Sequence, residues 1–172
     1  MVAGDLAEPQ QYFVFDTSSL IAIREIVPAA NRRGVLARLM QLVKAGELVF
    51  PSEVLDELER HARDNDPILD WVVAAKPLAV RFGPQFDALR IVMSNPQAKR
   101  VIDADKATGI DEADPHVLAL AVHLKQHASV VVVTEETRDR GNRTSMTTAC
   151  GVLRLFRLPM KAFLAERKIW PS

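Results

Sequence analysis

Acidic residues at four places in this sequence could act together on a bound cation. Asp16 directly follows an apolar run, Glu57 lies in a helical segment, Asp114 precedes a proline, and Glu135 and Glu136 follow the most hydrophobic run. Clustered carboxylates repel one another, so they must bind a cation or hold extra protons. Oxygen ligands without a nearby cysteine suit a hard ion such as Mg²⁺ or Mn²⁺, and such ions act on phosphates.

The elements that must position these acids alternate between strand and helix. Short apolar runs predict buried strands at 12–15, 48–50, 128–133 and 152–156. Periodic apolar residues predict helices at 20–26, 34–44, 52–63, 84–95, 98–107 and 160–168, with further helices starting at 66 and 114. This alternation predicts an α/β fold with a mostly parallel central sheet and helices on both faces. We expect residues 11–172 to form a single domain and residues 1–10 to form a flexible tail.

Two of the predicted helices begin at residues that favour a helix start. Ser52 is predicted as an N-cap with Glu53 in the first turn, and Asp114 as an N-cap with Pro115 at the first helical position. Ligands of open α/β sheets bind beyond the carboxyl ends of the strands. The acids are therefore expected along one edge of the sheet.

Each acid also has a purely structural explanation. Asp114 could be only a helix cap, Glu57 a solvated helix residue, and Glu135 and Glu136 ordinary loop acids. Asp16 has fewer such explanations, because it directly follows four apolar strand residues. The proposed cluster is therefore anchored on Asp16.

The overall composition limits the classes of function. Lys+Arg and Asp+Glu each total 22, so the formal net charge is zero and any basic surface must be local. Cys150 is the one cysteine, which excludes a disulfide framework and a cysteine-based zinc site. The first residues do not resemble a signal peptide, and no apolar run is long enough to cross a membrane. We expect a cytoplasmic protein that makes no membrane contact.

Four segments, in order and spacing, resemble the PIN (PilT N-terminus) domain family of metal-dependent ribonucleases. They are segments 13–21, 52–58, 114–121 and 132–136, which contain Asp16-Thr17-Ser18, Asp56-Glu57, Asp114-Pro115 and Thr134-Glu135-Glu136. The resemblance covers roughly residues 11–157. The sequence is most similar to a PIN-like branch with a Thr-Glu-Glu fourth motif, which is related to the toxins of VapBC type.

This resemblance implies a three-layer α/β/α fold with a catalytic metal site. Asp16, Glu57 and Asp114 match the acids that coordinate Mg²⁺ or Mn²⁺ in the family. Glu136 matches a fourth acidic position, which is usually Asp, and Glu135 could serve instead. The implied reaction is hydrolysis of phosphodiester bonds in single-stranded RNA.

Hydroxyl residues beside the acids are candidates for a supporting role. Thr17, Ser18 and Thr134 could hydrogen-bond the acids or a water molecule, as groups around a metal site commonly do. They could equally cap a helix or a turn. The sequence leaves these two roles open.

A loop beyond the fourth segment carries three arginines. Arg138, Arg140 and Arg143 would place positive charge beside the acids, where an RNA backbone must approach. A solvated, flexible loop is the alternative explanation for the same residues. We therefore treat the three arginines as candidate RNA contacts.

The resemblance implies an endoribonuclease, acting as the toxin of a toxin–antitoxin pair. Its partners would be RNA and an antitoxin protein, and a homodimer is compatible with the same family. One alternative is a non-catalytic module that binds a metal or a protein partner. Another is a small-molecule phosphatase of the haloacid dehalogenase type, although that family needs an Asp where this sequence has Ser18.

Overall fold

A computed structural model describes residues 11–102 and 112–171 of the chain. The strands are β1 (Gln11–Phe15), β2 (Leu48–Val49), β3 (Ser129–Val133) and β4 (Phe156–Leu158). The helices are α1 (Thr17–Ile26), α2 (Ala29–Lys44), α3 (Ser52–Arg60), α4 (Pro67–Ala79), α5 (Phe86–Ser94), α6 (Ala113–Leu124), α7 (Met146–Val152) and α8 (Met160–Glu166), with a 3₁₀ turn at Ala98–Val101. In the described residues, no helix combines the length with the apolar character that crossing a bilayer requires.

The four strands form one parallel sheet in the order β2-β1-β3-β4. The central strand β1 is paired with β2 on one side and with β3 on the other, with Phe13 opposite both Leu48 and Val131. After β1 the chain therefore forms β2 on one side of it, and it later forms β3 and β4 on the other side. The gap between the carboxyl ends of β1 and β3 is the topological switch point, where open α/β sheets bind their ligands.

Helices cover both faces of the sheet. Phe13 and Phe15 project to one face, where their rings lie 4.9 and 5.1 Å from the ring of Phe163 in α8. Tyr12 projects to the other face and packs against Phe82, on the side covered by α6. The predicted α/β fold with three α/β/α layers is confirmed, and the sheet is parallel throughout.

The starts of three helices differ from their predicted positions. Helix α1 begins at Thr17 because the Asp16 side chain caps it. Helix α3 has Pro51 rather than Ser52 at its N-cap. Helix α6 has Glu112 at its N-cap, so Asp114 lies inside the first turn instead of capping the helix. The first-turn position still suits an acid, because the exposed N–H groups there favour negative charge.

The predicted last strand at 152–156 is wrong. Val152 ends helix α7, and the strand is Phe156–Leu158. The buried residues Met146, Ala149 and Cys150 follow helical spacing, and Ser145 caps this helix by accepting the N–H of Thr148. The first four residues of the predicted helix at 98–107 form a 3₁₀ turn. Residues 103–107 and the predicted tail at 1–10 lie outside the described residues.

Candidate functional site

Asp16 lies at the switch point, where groups from α1 and from the end of β3 bind its carboxylate. Its carboxylate accepts hydrogen bonds from the Ser19 N–H at 2.9 Å and the Ser18 hydroxyl at 2.9 Å, both in α1. The Thr134 hydroxyl, directly beyond β3, donates to the same carboxylate at 2.5 Å. The Thr134 bond therefore joins the carboxyl ends of β1 and β3.

The ionisation of Asp16 is strongly affected by its surroundings. Burial raises the pKa of Asp16 to about 6, although the hydrogen bonds from Thr134, Ser19 and Ser18 lower it. The negative charge of Glu136 raises this pKa further. A carboxyl group with such a pKa changes its charge close to neutral pH.

Glu57 approaches the same region from α3. Its carboxylate accepts a hydrogen bond from the Thr17 hydroxyl at 2.9 Å, and Thr17 is the first residue of α1. This bond links α3 to the helix that follows β1. It also places the Glu57 carboxylate beside Thr17, the residue that directly follows Asp16 in the chain.

The other acids of the site affect the pKa of Asp114. Burial raises the pKa of Asp114 well above its ordinary value, and the negative charges of Asp16, Glu136 and Glu57 raise it further. Arg143 lowers it, but by less. Acids from three other segments of the chain therefore influence one buried carboxyl group.

Arg143 provides positive charge inside this acidic cluster. Its guanidinium group lies 2.7 Å from Asp114 Oδ2 and 3.2 Å from Glu136 Oε1, and its Nε donates to the Val101 carbonyl at 3.0 Å. Burial disfavours the charged guanidinium, yet the charges of Glu136 and Asp114 outweigh burial and raise the pKa of Arg143. The arginine is thus a built-in counter-ion for two of the four acids.

The acids do not form a ready-made coordination sphere. Within residues 11–102 and 112–171, no group of three or more His, Cys, Asp or Glu side chains is arranged to hold a metal ion. Arg143 lies between Asp114 and Glu136, while Glu57 is engaged by Thr17. The oxygen-only donor set and the excess negative charge fit Mg²⁺ or Mn²⁺, but the side chains must rotate to converge on an ion.

The two consecutive glutamates after β3 have different surroundings. Glu135 turns toward α8, where its Oε1 accepts the N–H of Met160 at 2.5 Å. Glu136 turns toward Arg143, and its Oε2 accepts the N–H of Met146 at the start of α7. This geometry favours Glu136 over Glu135 as the fourth acid of the cluster.

The hydroxyl residues hydrogen-bond the acids, which is one of the two roles that the sequence left open. Thr17 donates to Glu57, and both Ser18 and Thr134 donate to Asp16. Sequence reasoning missed Ser19, whose N–H also binds the Asp16 carboxylate. The signal was present, since an Asp three residues before the bonded N–H is the usual spacing of a helix N-cap.

The three loop arginines fall into two groups. Arg138 and Arg140 are exposed and line a cavity of about 210 Å³ together with Ser18 and Glu136. Arg143 instead turns inward, because a tight turn pairs its backbone with Arg140 and directs its side chain to the acids. All three arginines stay candidate RNA contacts, with Arg143 inside the site and the other two at its mouth.

The fold and the site together define a small parallel α/β domain with an acidic cluster at its switch point. The chain belongs to the family described as domain of unknown function DUF4411, whose model matches residues 13–169 and thus includes every residue of the site. No curated protein and no solved structure shows a significant match to the chain. The case for a function therefore depends on the chemistry of the site.

Asp16 makes the stability of the protein depend on pH. Its pKa is higher in the folded chain than the ordinary 3.8, so ionisation destabilises the folded state as pH rises, with the full effect above about pH 6. The effect amounts to about 3 kcal/mol. We expect Asp16→Asn to be more stable than the wild type above pH 6 and equally stable near pH 4, in urea unfolding with EDTA present.

The exposed Asp56 provides a matched control for this experiment, because it lies on α3 away from the core. The Asp56→Asn variant should follow the wild-type pH profile. A stability difference between Asp16→Asn and the wild type that is the same at pH 4 and pH 7 would show that the pKa of Asp16 is not raised.

Glu135 is predicted to support the fold rather than the acidic cluster. Its removal leaves the first N–H of α8 without its acceptor, and loss of such a cap costs about 1 kcal/mol. We expect Glu135→Ala to lower the free energy of unfolding by this amount in urea titrations at pH 7. The control is Glu166→Ala at the exposed end of the same helix; equal effects of both variants would contradict the capping role.

Proposed function

We propose that this protein is a metal-dependent endoribonuclease that hydrolyses phosphodiester bonds of single-stranded RNA. The observation that carries the proposal is the pairing of Asp114 and Glu136 with one guanidinium group, at 2.7 and 3.2 Å, in the same site as the buried Asp16. This cluster lies at the switch point of a parallel sheet, where ligands of such folds bind.

The charges of the site favour a divalent cation. Arg143 pairs with only two of the four acids, and the raised pKa values of Asp16 and Asp114 reflect burial together with the charges of neighbouring acids. Asp16, Glu57 and Asp114 would hold Mg²⁺ or Mn²⁺, with Glu136 as the fourth acid. When bound, such an ion activates water and stabilises negative charge on phosphoryl oxygens.

Other residues of the site would orient the acids and the substrate. The hydroxyls of Thr17 and Thr134 donate hydrogen bonds of 2.9 and 2.5 Å to the carboxylates of Glu57 and Asp16, as the groups around a metal site commonly do. Arg143 is anchored by a backbone carbonyl, so its guanidinium group stays at the site. It can stabilise the negative charge of a phosphate that enters between the acids.

Local positive charge supports a nucleic-acid substrate. Arg138 and Arg140 line a cavity next to Glu136, so a phosphate backbone can approach the acids along an arginine-lined path. This arrangement agrees with a chain whose overall charge is balanced. The four sequence segments that resemble PIN ribonucleases support RNA as the nucleic acid, and they also support the role of a toxin with a protein antitoxin.

Metal binding is the first requirement of this proposal. Isothermal titration calorimetry at pH 7.5 should show binding of Mn²⁺ and Mg²⁺ to the wild type. Asp114→Asn should weaken binding by at least about ten-fold, because it removes the central carboxylate. Asp56→Asn should bind normally, and the absence of binding at millimolar Mn²⁺ or Mg²⁺ would refute the metal site.

RNA cleavage is the second requirement. With Mn²⁺ the wild type should cut labelled single-stranded RNA, and EDTA should stop the reaction. Asp114→Asn should lower the rate by at least about a hundred-fold, because removing one ligand disrupts the whole site. Asp56→Asn should retain the wild-type rate. If the protein acts as a toxin, expression of the wild type will arrest growth and expression of Asp114→Asn will not.

Other results of the same assay would support the alternative functions. Metal binding without cleavage of any RNA tested would favour a non-catalytic module. Release of inorganic phosphate from small phosphomonoesters, without RNA cleavage, would favour a phosphatase. Either result would refute the ribonuclease proposal.

A further inference from the structure

A second cavity lies beside the acidic cluster. It has a volume of about 120 Å³ and is enclosed by the start of α3, by residues 80–85 between α4 and α5, and by α6. Phe82 and Leu120 contribute apolar surface, while Glu53 and His116 contribute polar groups. This volume equals that of roughly four water molecules in the liquid, so the cavity suits one planar ring system rather than a whole nucleotide.

The carboxylate of Glu53 has unused capacity to accept hydrogen bonds. Within the described residues its hydrogen-bond partner is the Ser52 hydroxyl, at 3.3 Å. His116 Nδ1 is 3.7 Å from Glu53 Oε1, which is too far for a hydrogen bond. Both side chains are 20% exposed. A ligand in the cavity could therefore meet a partly desolvated carboxylate with free acceptor positions.

The cavity and the acidic cluster are built on the same two helices. Glu53 lies one turn before Glu57 on α3, and residues four apart on a helix lie on the same face with Cβ atoms about 6 Å apart. Asp114 and His116 both lie in the first turns of α6, on different faces of that helix, so the face of α3 that carries Glu53 and Glu57, packed against α6, is the link between cavity and cluster. A nucleotide next to a phosphate bound at the acids would therefore place its base near this cavity.

We propose that the cavity binds the base of a nucleotide beside the cleaved bond and that it prefers guanine. This inference rests on the proposed ribonuclease function. Guanine presents two adjacent donors, N1–H and N2–H, on its Watson–Crick edge, and a carboxylate can accept both. In single-stranded RNA this edge is unpaired and accessible to a protein side chain, and Phe82 adds apolar surface to the cavity that would receive the base.

The other bases match Glu53 less well. Cytosine and adenine present one amino group beside an acceptor nitrogen, which the carboxylate repels. Uracil presents one N–H group between two carbonyl oxygens. Glu53 therefore provides a physical reason for selecting guanine rather than a general affinity for bases.

Nucleotide binding tests the cavity independently of cleavage. We expect the full chain carrying Asp114→Asn to bind GMP at least about ten-fold more tightly than AMP, CMP or UMP in NMR titrations. Adding Glu53→Gln should abolish the preference, because an amide donor replaces one acceptor oxygen. Adding Glu59→Gln, an exposed acid on the same helix, should leave the preference unchanged.

The results separate the cavity proposal from the ribonuclease proposal. Equal affinity for all four nucleotides, no measurable binding, or a GMP preference that survives Glu53→Gln would overturn the guanine site, even if the wild type cleaves RNA. A GMP preference that depends on Glu53, in a protein that cuts no RNA, would support the guanine site and refute the ribonuclease.

Discussion

The hydrogen bond between the Thr134 hydroxyl and the Asp16 carboxylate is the interaction on which the site depends. It joins the carboxyl ends of β1 and β3, which are the two central strands of the parallel sheet. The Asp16 backbone N–H also bonds the Val133 carbonyl, so strand pairing continues up to the acid. The parallel sheet thus fixes the position of a buried carboxyl group to which Glu57, Asp114 and Glu136 are added.

The acidic cluster destabilises the fold that carries it. Burial and mutual repulsion raise the pKa values of Asp16 and Asp114, and the hydrogen bonds and Arg143 offset this only in part. Sites that hold such charges commonly reduce stability in exchange for function. The Val101 carbonyl, on the 3₁₀ turn, accepts a hydrogen bond from the guanidinium group of Arg143 and holds it in place. The guanidinium group of Arg143 therefore stays beside Asp114 and Glu136 and offsets part of their negative charge.

The sequence by itself determined the layers of the fold and the position of Asp16 at the carboxyl edge of the sheet. Uninterrupted apolar runs such as 12–15 and 128–133 indicate strands buried on both faces, and the segments between them show helical spacing. An acid directly after such a run must lie at the carboxyl edge of the sheet, which located Asp16. The hydroxyls Ser18 and Thr134 were candidate partners because one lies two residues after Asp16 and the other directly follows a strand. All of these are local patterns, so one sequence is sufficient to show them.

Only the tertiary structure decided which side chains meet. Glu135 and Glu136 have the same chemistry, and they separate because the starts of α8 and α7 lie on different sides of them. Arg143 reaches Asp114 only through the turn at Arg140, a contact between residues 29 positions apart. The cavity between Glu53 and His116 depends on the packing of α3 against α6. Contacts of this kind are set by long-range packing and side-chain rotamers, which local sequence patterns do not encode.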